Sequence, residues 1–311
     1  MPPIKTYDEM LKAAAAVGPV PVAIAAAHEH EVLVAASEAQ ARGIIQAILV
    51  GDGQAIRCMA QEHHLDLGTM RIVDESDEVM AADMAMRIVA RGEAKVAIKG
   101  QVQTPVFLHS ALRREAGLRT ERLISHVGVF EIPGFNRLLF ITDGGVVLFP
   151  TLEQKIEIVS NGIAVARGLG VAQPKVALLA AADEVSSDLP VTVEIAEIVA
   201  MQERWQAEGA VVGGPFLLDT AVSPETARRR GRGGRVAGHA EVLVGPDVES
   251  VNIMAKGITY FAGGRMAGLV VGARAPLVVG SRADPPKTRL VCIAAGALLA
   301  SGLNTQTKAS S

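Results

Sequence analysis

The chain has 311 residues, is half hydrophobic and carries a formal net charge of −3. That length suits two ordinary domains or one large one, and that charge gives no footing for nucleic acid or an anionic membrane. Aromatics make up only 3% against 31 glycines, so the core must be Ala, Val, Ile and Leu, which suits α/β layers with helices packed close on a sheet. The two cysteines, Cys58 and Cys292, lack metal-ligand spacing and read as reduced, buried thiols. No apolar run reaches the roughly 18 residues that span a bilayer, and residues 1–9 show no signal-peptide core. The expectation is a cytoplasmic protein.

Taken in order, Tyr7 to Ala16 reads as a helix stopped by Gly18-Pro19. Val20 to Ala25 is a strand, Glu31 to Arg42 a helix, Ile44 to Val50 a strand and Gln54 to His64 a helix. Met70 to Val73 and Val96 to Ile98 are strands flanking a long helix, Asp77 to Arg91. Thr104 to Ala116 is a helix broken at Gly117. Leu123 to Phe130 and Leu138 to Ile141, with Pro133-Gly134 between them, form an antiparallel hairpin. A second wound unit starts at Pro150-Thr151, with helices at 152–169, 192–207 and 248–261 and strands at 176–179, 211–212, 242–244, 269–271 and 277–279. A last helix, Thr288 to Ser301, precedes a polar tail. This alternation of short apolar strand, polar tag and amphipathic helix predicts two wound α/β domains with an interdomain cleft. The expected division is 1-143 plus 280-311 for the first domain and 144-279 for the second.

In such sheets ligands gather beyond the carboxyl ends of the strands. The polar tags there are Lys99-Gly100, Thr142-Asp143-Gly144, Gly213-Gly214, Gly245-Pro246-Asp247 and Gly280-Ser281-Arg282-Ala283-Asp284. The last delivers a hydroxyl, a guanidinium and a carboxylate to one sheet edge. Lys99 is a candidate phosphate cation, and Gly100 allows a ligand to approach the backbone. After Asp247, an N-cap residue, Glu249, Asn252 and Lys256 share one helix face. Val251, Met254, Ile258 and Phe261 share the other, which is expected to be buried. Ser125-His126 lies within an apolar strand, where a lone histidine reads as a hydrogen-bonded core residue. His28-Glu29-His30 has no completing ligands for a metal. The run Arg228 to Arg235 reads as a solvated loop, with polyphosphate contact as the sharper alternative. No Walker A, G-x-G-x-x-G or G-x-S-x-G pattern is present.

These blocks resemble the phosphate acetyl/butyryltransferases, and more closely the butyryltransferase branch. The resemblance rests on Gly238-His239-Ala240-Glu241-Val242-Leu243-Val244-Gly245-Pro246-Asp247 through Asn252 and Lys256, and on Ser281-Arg282-Ala283-Asp284. It also rests on Lys99-Gly100 with Thr104, Gly117-Leu118-Arg119-Thr120, Ser125-His126-Val127, Asn136 to Asp143 and Leu217 to Ser223. It implies an isocitrate/isopropylmalate dehydrogenase-like fold and a homodimer. The implied reaction is reversible transfer of a short acyl group between coenzyme A, a substrate, and inorganic phosphate, with no tightly bound cofactor and no metal. The implied partners are acyl-CoA and phosphate.

The catalytic candidates are Ser281, Arg282 and Asp284. Arg282 is assigned to the phosphate or acyl oxygen, Ser281 to the reacting centre, and Asp284 to orienting Arg282 or accepting the thiol proton. The substrate-binding candidates are Lys99, Gly100, Thr104, His109, Ser125, His126, Asp143, Asn252 and Lys256. The chain departs from the family pattern at Val147, where an asparagine is usual, at Gly213, where an aspartate is usual, and at His109, where an arginine or lysine is usual. The acetyl branch's proposed aspartate base falls at Pro286-Lys287-Thr288. These departures motivate the alternative of a non-catalytic or modulatory acyl-CoA-binding protein of the same fold. A dehydrogenase on the related fold would need a dinucleotide fingerprint or a paired-Asp metal site, and the sequence has neither.

Overall fold

The computed structural model describes residues 3–281 and 284–309, with side chains through residue 302. Of the expected site residues, Arg282 lies outside the described residues. The chain divides into two compact units, one of residues 7–122 and 267–311, the other of 1–6 and 123–266. The sequence reading places the first boundary at 143/144 and the return at 279/280. The hairpin strands and strand ends between these limits therefore belong to different units from those expected.

The first unit opens with α1 (Tyr7–Val17), β1 (Val20–Ala25), α2 (His30–Ala41), β2 (Ile45–Gly51), α3 (Gly53–Glu62), β3 (Arg71–Asp74), α4 (Glu78–Ala90), β4 (Val96–Lys99) and α5 (Thr104–Leu112). Asp52 and Asp77 cap α3 and α4 by accepting backbone N–H groups, as short acidic N-caps do. The helix expected over 104–116 stops at Leu112 and resumes as one 3-10 turn over Arg114–Ala116, ending at Gly117 with φ 69°. That left-handed angle is cheap only for glycine.

The second unit holds β5 (Ser125–Glu131), β6 (Leu139–Thr142), α6 (Leu152–Gly168), β7 (Lys175–Leu179), α7 (Pro190–Ala200), α8 (Gln202–Ala207), β8 (Val211–Phe216), α9 (Leu218–Val222), α10 (Pro224–Arg229), β9 (Val242–Val244) and α11 (Val248–Phe261). Its strands run in the order β5-β6-β9-β7-β8. β5 and β6 are the antiparallel hairpin, and β6, β9, β7 and β8 are parallel. The expected 192–207 helix is two, hinged at Met201. Trp205 is fully buried there and donates its indole N–H to the Ile198 carbonyl at 2.8 Å.

The chain then returns to the first unit through β10 (Arg265–Val271), β11 (Leu277–Val278) and α12 (Pro286–Ala309). In that unit the order is β3-β2-β1-β4-β11-β10, parallel except for the β10–β11 pair. The small-residue composition has its expected use. A Cβ on Gly296 of α12 would sit 2.5 Å from a Val278 methyl on β11, so the helix lies closer to the sheet than alanine would permit.

Candidate active site

Within the second unit, the ends of β5, β6 and β9 and the start of α11 build one polar cluster. Asp143, at the end of β6, is 4% exposed. Its Oδ1 accepts from the N–H groups of Gly145 (2.8 Å) and Val146 (2.9 Å), and its Oδ2 from those of Val147 (3.0 Å) and His126 (3.2 Å). A buried carboxylate is tolerable when backbone donors surround it. Asp143 thus shapes the 144–147 loop and ties it to β5. Thr142 supports the same corner by donating its hydroxyl to the His126 carbonyl at 2.7 Å.

Asp247 caps α11 by accepting the Ser250 N–H at 2.8 Å. One turn into that helix, Asn252 donates its side-chain amide to the Gly144 carbonyl at 3.1 Å. His126, Gly144, Asn252 and Lys256 line a cavity of about 120 Å³ whose apolar wall includes Phe130 and Met266. The His126 Nδ1 is buried and has no hydrogen-bond partner among the described residues. Burial pushes the His126 pKa below its ordinary 6.5, with Asp143 pulling the other way. The lowered pKa favours the neutral imidazole near pH 7, whose buried Nδ1 is left without a partner among the described residues.

Ser125 is placed elsewhere. Adjacent strand residues face opposite sides of a sheet, and Ser125 is fully buried, its hydroxyl accepting from the Asn161 amide at 2.8 Å. It does not line the cavity that His126 lines. The expected apolar face of α11 is covered along most of its length: Val251 is buried and Met254 and Ile258 pack half-buried on the same core, whereas Phe261 is 94% exposed. Ile258 is the last residue of that face to reach the core, and Phe261, at the end of the helix, lies beyond it.

The first unit gathers the other candidates. Lys99, at the end of β4, is buried, and its ammonium donates to the carbonyls of Gly100 (2.9 Å) and Val102 (3.2 Å), folding the loop onto itself. Gly100 packs where no side chain fits: a Cβ would lie 2.3 Å from the Ala26 carbonyl oxygen and 2.5 Å from that of Ala25. Thr104 begins α5, and His109 is exposed in its last turn. Beyond β11, the Ser281 N–H donates to Asp284 Oδ2 at 2.6 Å. The candidates thus fall into two sets: His126, Asp143, Asn252 and Lys256 in one unit, and Lys99, Gly100, Thr104, Ser281 and Asp284 in the other.

Sequence reasoning passed over three partners. Asn161 fixes Ser125. Arg137 holds the carbonyls of Ala240 (3.1 Å), Val222 (3.2 Å) and Gly238 (3.5 Å). Glu29 pairs with Arg289 at 2.6 Å. An arginine followed by apolar residues carries no signal of these long-range partners. The arginine-rich loop is largely engaged by acids: Arg230 with Asp183 (3.3 Å) and Asp219 (2.8 Å), Arg232 with Glu184 (3.1 Å), and Arg229 with Glu225 (2.5 Å). These pairs weigh against the polyphosphate alternative. Cys58, expected buried, is exposed on α3. His28 accepts the Asp52 N–H, and His30 packs on His63 with ring centroids 4.0 Å apart. Among the described residues, no group of three or more His, Cys, Asp or Glu is placed to hold a metal ion, and no helix is long and apolar enough to cross a membrane.

Wound α/β units with amides, cations and a neutral imidazole at their strand ends have the makings of an enzyme that handles anions and carbonyls. Comparison with known proteins narrows the class. The family model described as phosphate acetyl/butaryl transferase matches residues 7–84 and 76–297, and the chain belongs to that family. It is 41% identical to a phosphate acetyltransferase of Rhizobium meliloti over 294 residues, covering 94% of this chain and 93% of the relative. It is also 41% identical to a phosphate butyryltransferase of Clostridium beijerinckii over 296 residues, covering 95% and 98%. Among solved structures it resembles a branched-chain phosphotransacylase from Enterococcus faecalis, with TM-score 0.79, 29% identity and coverage of 90% and 99%.

Proposed function

We propose that this chain is a phosphate acyltransferase, moving a short acyl group reversibly between coenzyme A and inorganic phosphate. The observation that carries this reading is family membership along nearly the whole chain, with His126, Asn252 and Lys256, inside the matched span, lining one cavity.

In the direction of acyl-CoA synthesis, the coenzyme A sulfur gives up its proton to a base and attacks the acyl phosphate carbonyl, the S–C bond forms, the bond from the carbonyl carbon to the bridging oxygen breaks, and phosphate leaves with that oxygen. A free thiol titrates near roughly 8.5, so a nearby cation or base must raise the thiolate fraction. Lys256 is a cation at the cavity. Asn252 and His126, which line that cavity, are hydrogen-bonding groups for a carbonyl, a hydroxyl or a thiol. Ser281 is assigned to the reacting centre and Arg282 to the phosphate or acyl oxygen. Asp284 orients Arg282 or accepts the thiol proton. Lys99, Gly100, Thr104 and His109 make the phosphate side. Lys99 acts there through the loop carbonyls it gathers. Fixing both substrates supplies much of the acceleration. The reading includes a homodimer, a cytoplasmic location and no tightly bound cofactor.

Phosphorus NMR of the purified chain with butyryl-CoA and phosphate tests it. A new acyl phosphate resonance is expected. Coenzyme A binding with no acyl phosphate from acetyl-, propionyl- or butyryl-CoA would replace this reading with the non-catalytic one.

A further inference from the structure

A buried ion pair adjoins Asp284 and, through it, Ser281. Arg289, in the first turns of α12, is 5% exposed. Its guanidinium grips Glu29 with both ends, Nη2 donating to Oε1 at 2.6 Å and Nη1 to Oε2 at 3.3 Å. Its Nε donates to the Asp284 carbonyl oxygen at 3.2 Å. Asp284 in turn accepts the Ser281 N–H at 2.6 Å through Oδ2, and donates its own N–H to the Ser281 carbonyl at 3.1 Å. The result is an unbroken relay from Glu29 through Arg289 and Asp284 to Ser281.

The topology gives the relay its place. Glu29 follows β1 and leads into α2, and Ser281 follows β11. In the sheet, β4 lies between β1 and β11. The pair therefore links the strand-end loops on either side of the Lys99–Gly100 loop. A buried ion pair adds little net stability, because desolvation offsets the attraction. What a two-pronged arginine–carboxylate contact does supply is a fixed geometry.

We infer that Glu29 and Arg289 are positioning residues for the acyl transfer, holding Ser281 and Asp284 in register with the end of β4. This rests on the reaction assigned under Proposed function, and neither residue is assigned contact with substrate.

The test uses the full chain carrying Glu29→Gln, which keeps the shape and removes the charge, and Arg289→Lys, which keeps the charge and removes the fork. Three readouts are compared: steady-state kinetics in both substrates, thermal midpoint, and hydrogen exchange at the Ser281 and Asp284 amides. The expected result is a kcat lower by about 10- to 100-fold, the scale of a misplaced reacting group, with both KM values within about threefold. Exchange should quicken at these two amides; the thermal midpoint should fall in Glu29→Gln, which strands a buried guanidinium, with both variants still folded at the assay temperature. Wild-type kcat and exchange in both variants would overturn the inference. So would a kcat loss explained by the unfolded fraction alone. If the wild type shows no acyl transfer, the reaction assignment falls. The exchange comparison then decides by itself whether the relay holds Ser281 and Asp284.

Discussion

Asn252 on α11 donates its side-chain amide to the carbonyl oxygen of Gly144, 3.1 Å away, and Gly144 follows the carboxylate that gathers four backbone N–H groups. Helix and loop are therefore locked at the mouth of one cavity. The amide's value is geometric, since a single hydrogen bond of an exposed side chain is worth about 1 kcal/mol or less.

Replacing Asn252 with alanine should therefore separate activity from stability. The expected outcome is an activity loss of about tenfold or more, with unfolding free energy within about 1 kcal/mol of wild type. Chemical denaturation and acyl-transfer assays on one preparation check this. Equal activity would remove Asn252 from the site.

Gly100→Ala should act on the fold first. The added methyl group would meet two backbone carbonyls of β1's end, at 2.3 and 2.5 Å, and backbone yields less readily than a side-chain tip. A cost of about 1–3 kcal/mol is expected. Gly145→Ala, where the methyl meets nothing within 4 Å, is the control and should leave the urea midpoint in place.

His126 makes stability depend on pH. Burial depresses its folded-state pKa below the ordinary 6.5. As pH falls through about 6.5, the unfolded chain takes up a proton that the native chain refuses, so stability drops with acidification toward the lower folded value. Above 6.5 the contribution is complete. Thermal midpoints measured from pH 7.5 to 5 should decline in the wild type, and His126→Gln should flatten part of that slope.

The two thiols should differ sharply toward an alkylating reagent. Cys58 is exposed, whereas the Cys292 thiol is pushed up to about 12 by burial and by Asp284. Mass spectrometry of the native protein at pH 7.5 should find Cys58 modified and Cys292 protected, because the thiolate is the reactive form.

The strands were legible because each is a short apolar run ended by a polar tag, and the period of a buried parallel strand needs no partner to recognise. The hairpin of β5 and β6 was legible from Pro133-Gly134. Two things were not. The break in the 192–207 helix at Met201 has no Gly or Pro to announce it; it places Trp205 in the core, a tertiary gain that overrides local propensity. The apolar face of α11 holds through Val251, Met254 and Ile258 and fails at Phe261, because amphipathic spacing says which residues share a face and not how far the core extends beneath them. In the site, Asn252 and Lys256 were legible from their shared helix face. The Glu29–Arg289 pair was not, since its partners stand 260 residues apart in sequence.

Acyl transfer to phosphate is measured directly as phosphate-dependent release of coenzyme A from acetyl-, propionyl- and butyryl-CoA, by the wild type and by Arg282→Ala. Release that needs phosphate is expected with at least one of the three, with a loss of about a hundredfold or more in the variant, the scale for removing a donor assigned to developing charge. No phosphate-dependent release by the wild type with any of the three would contradict it.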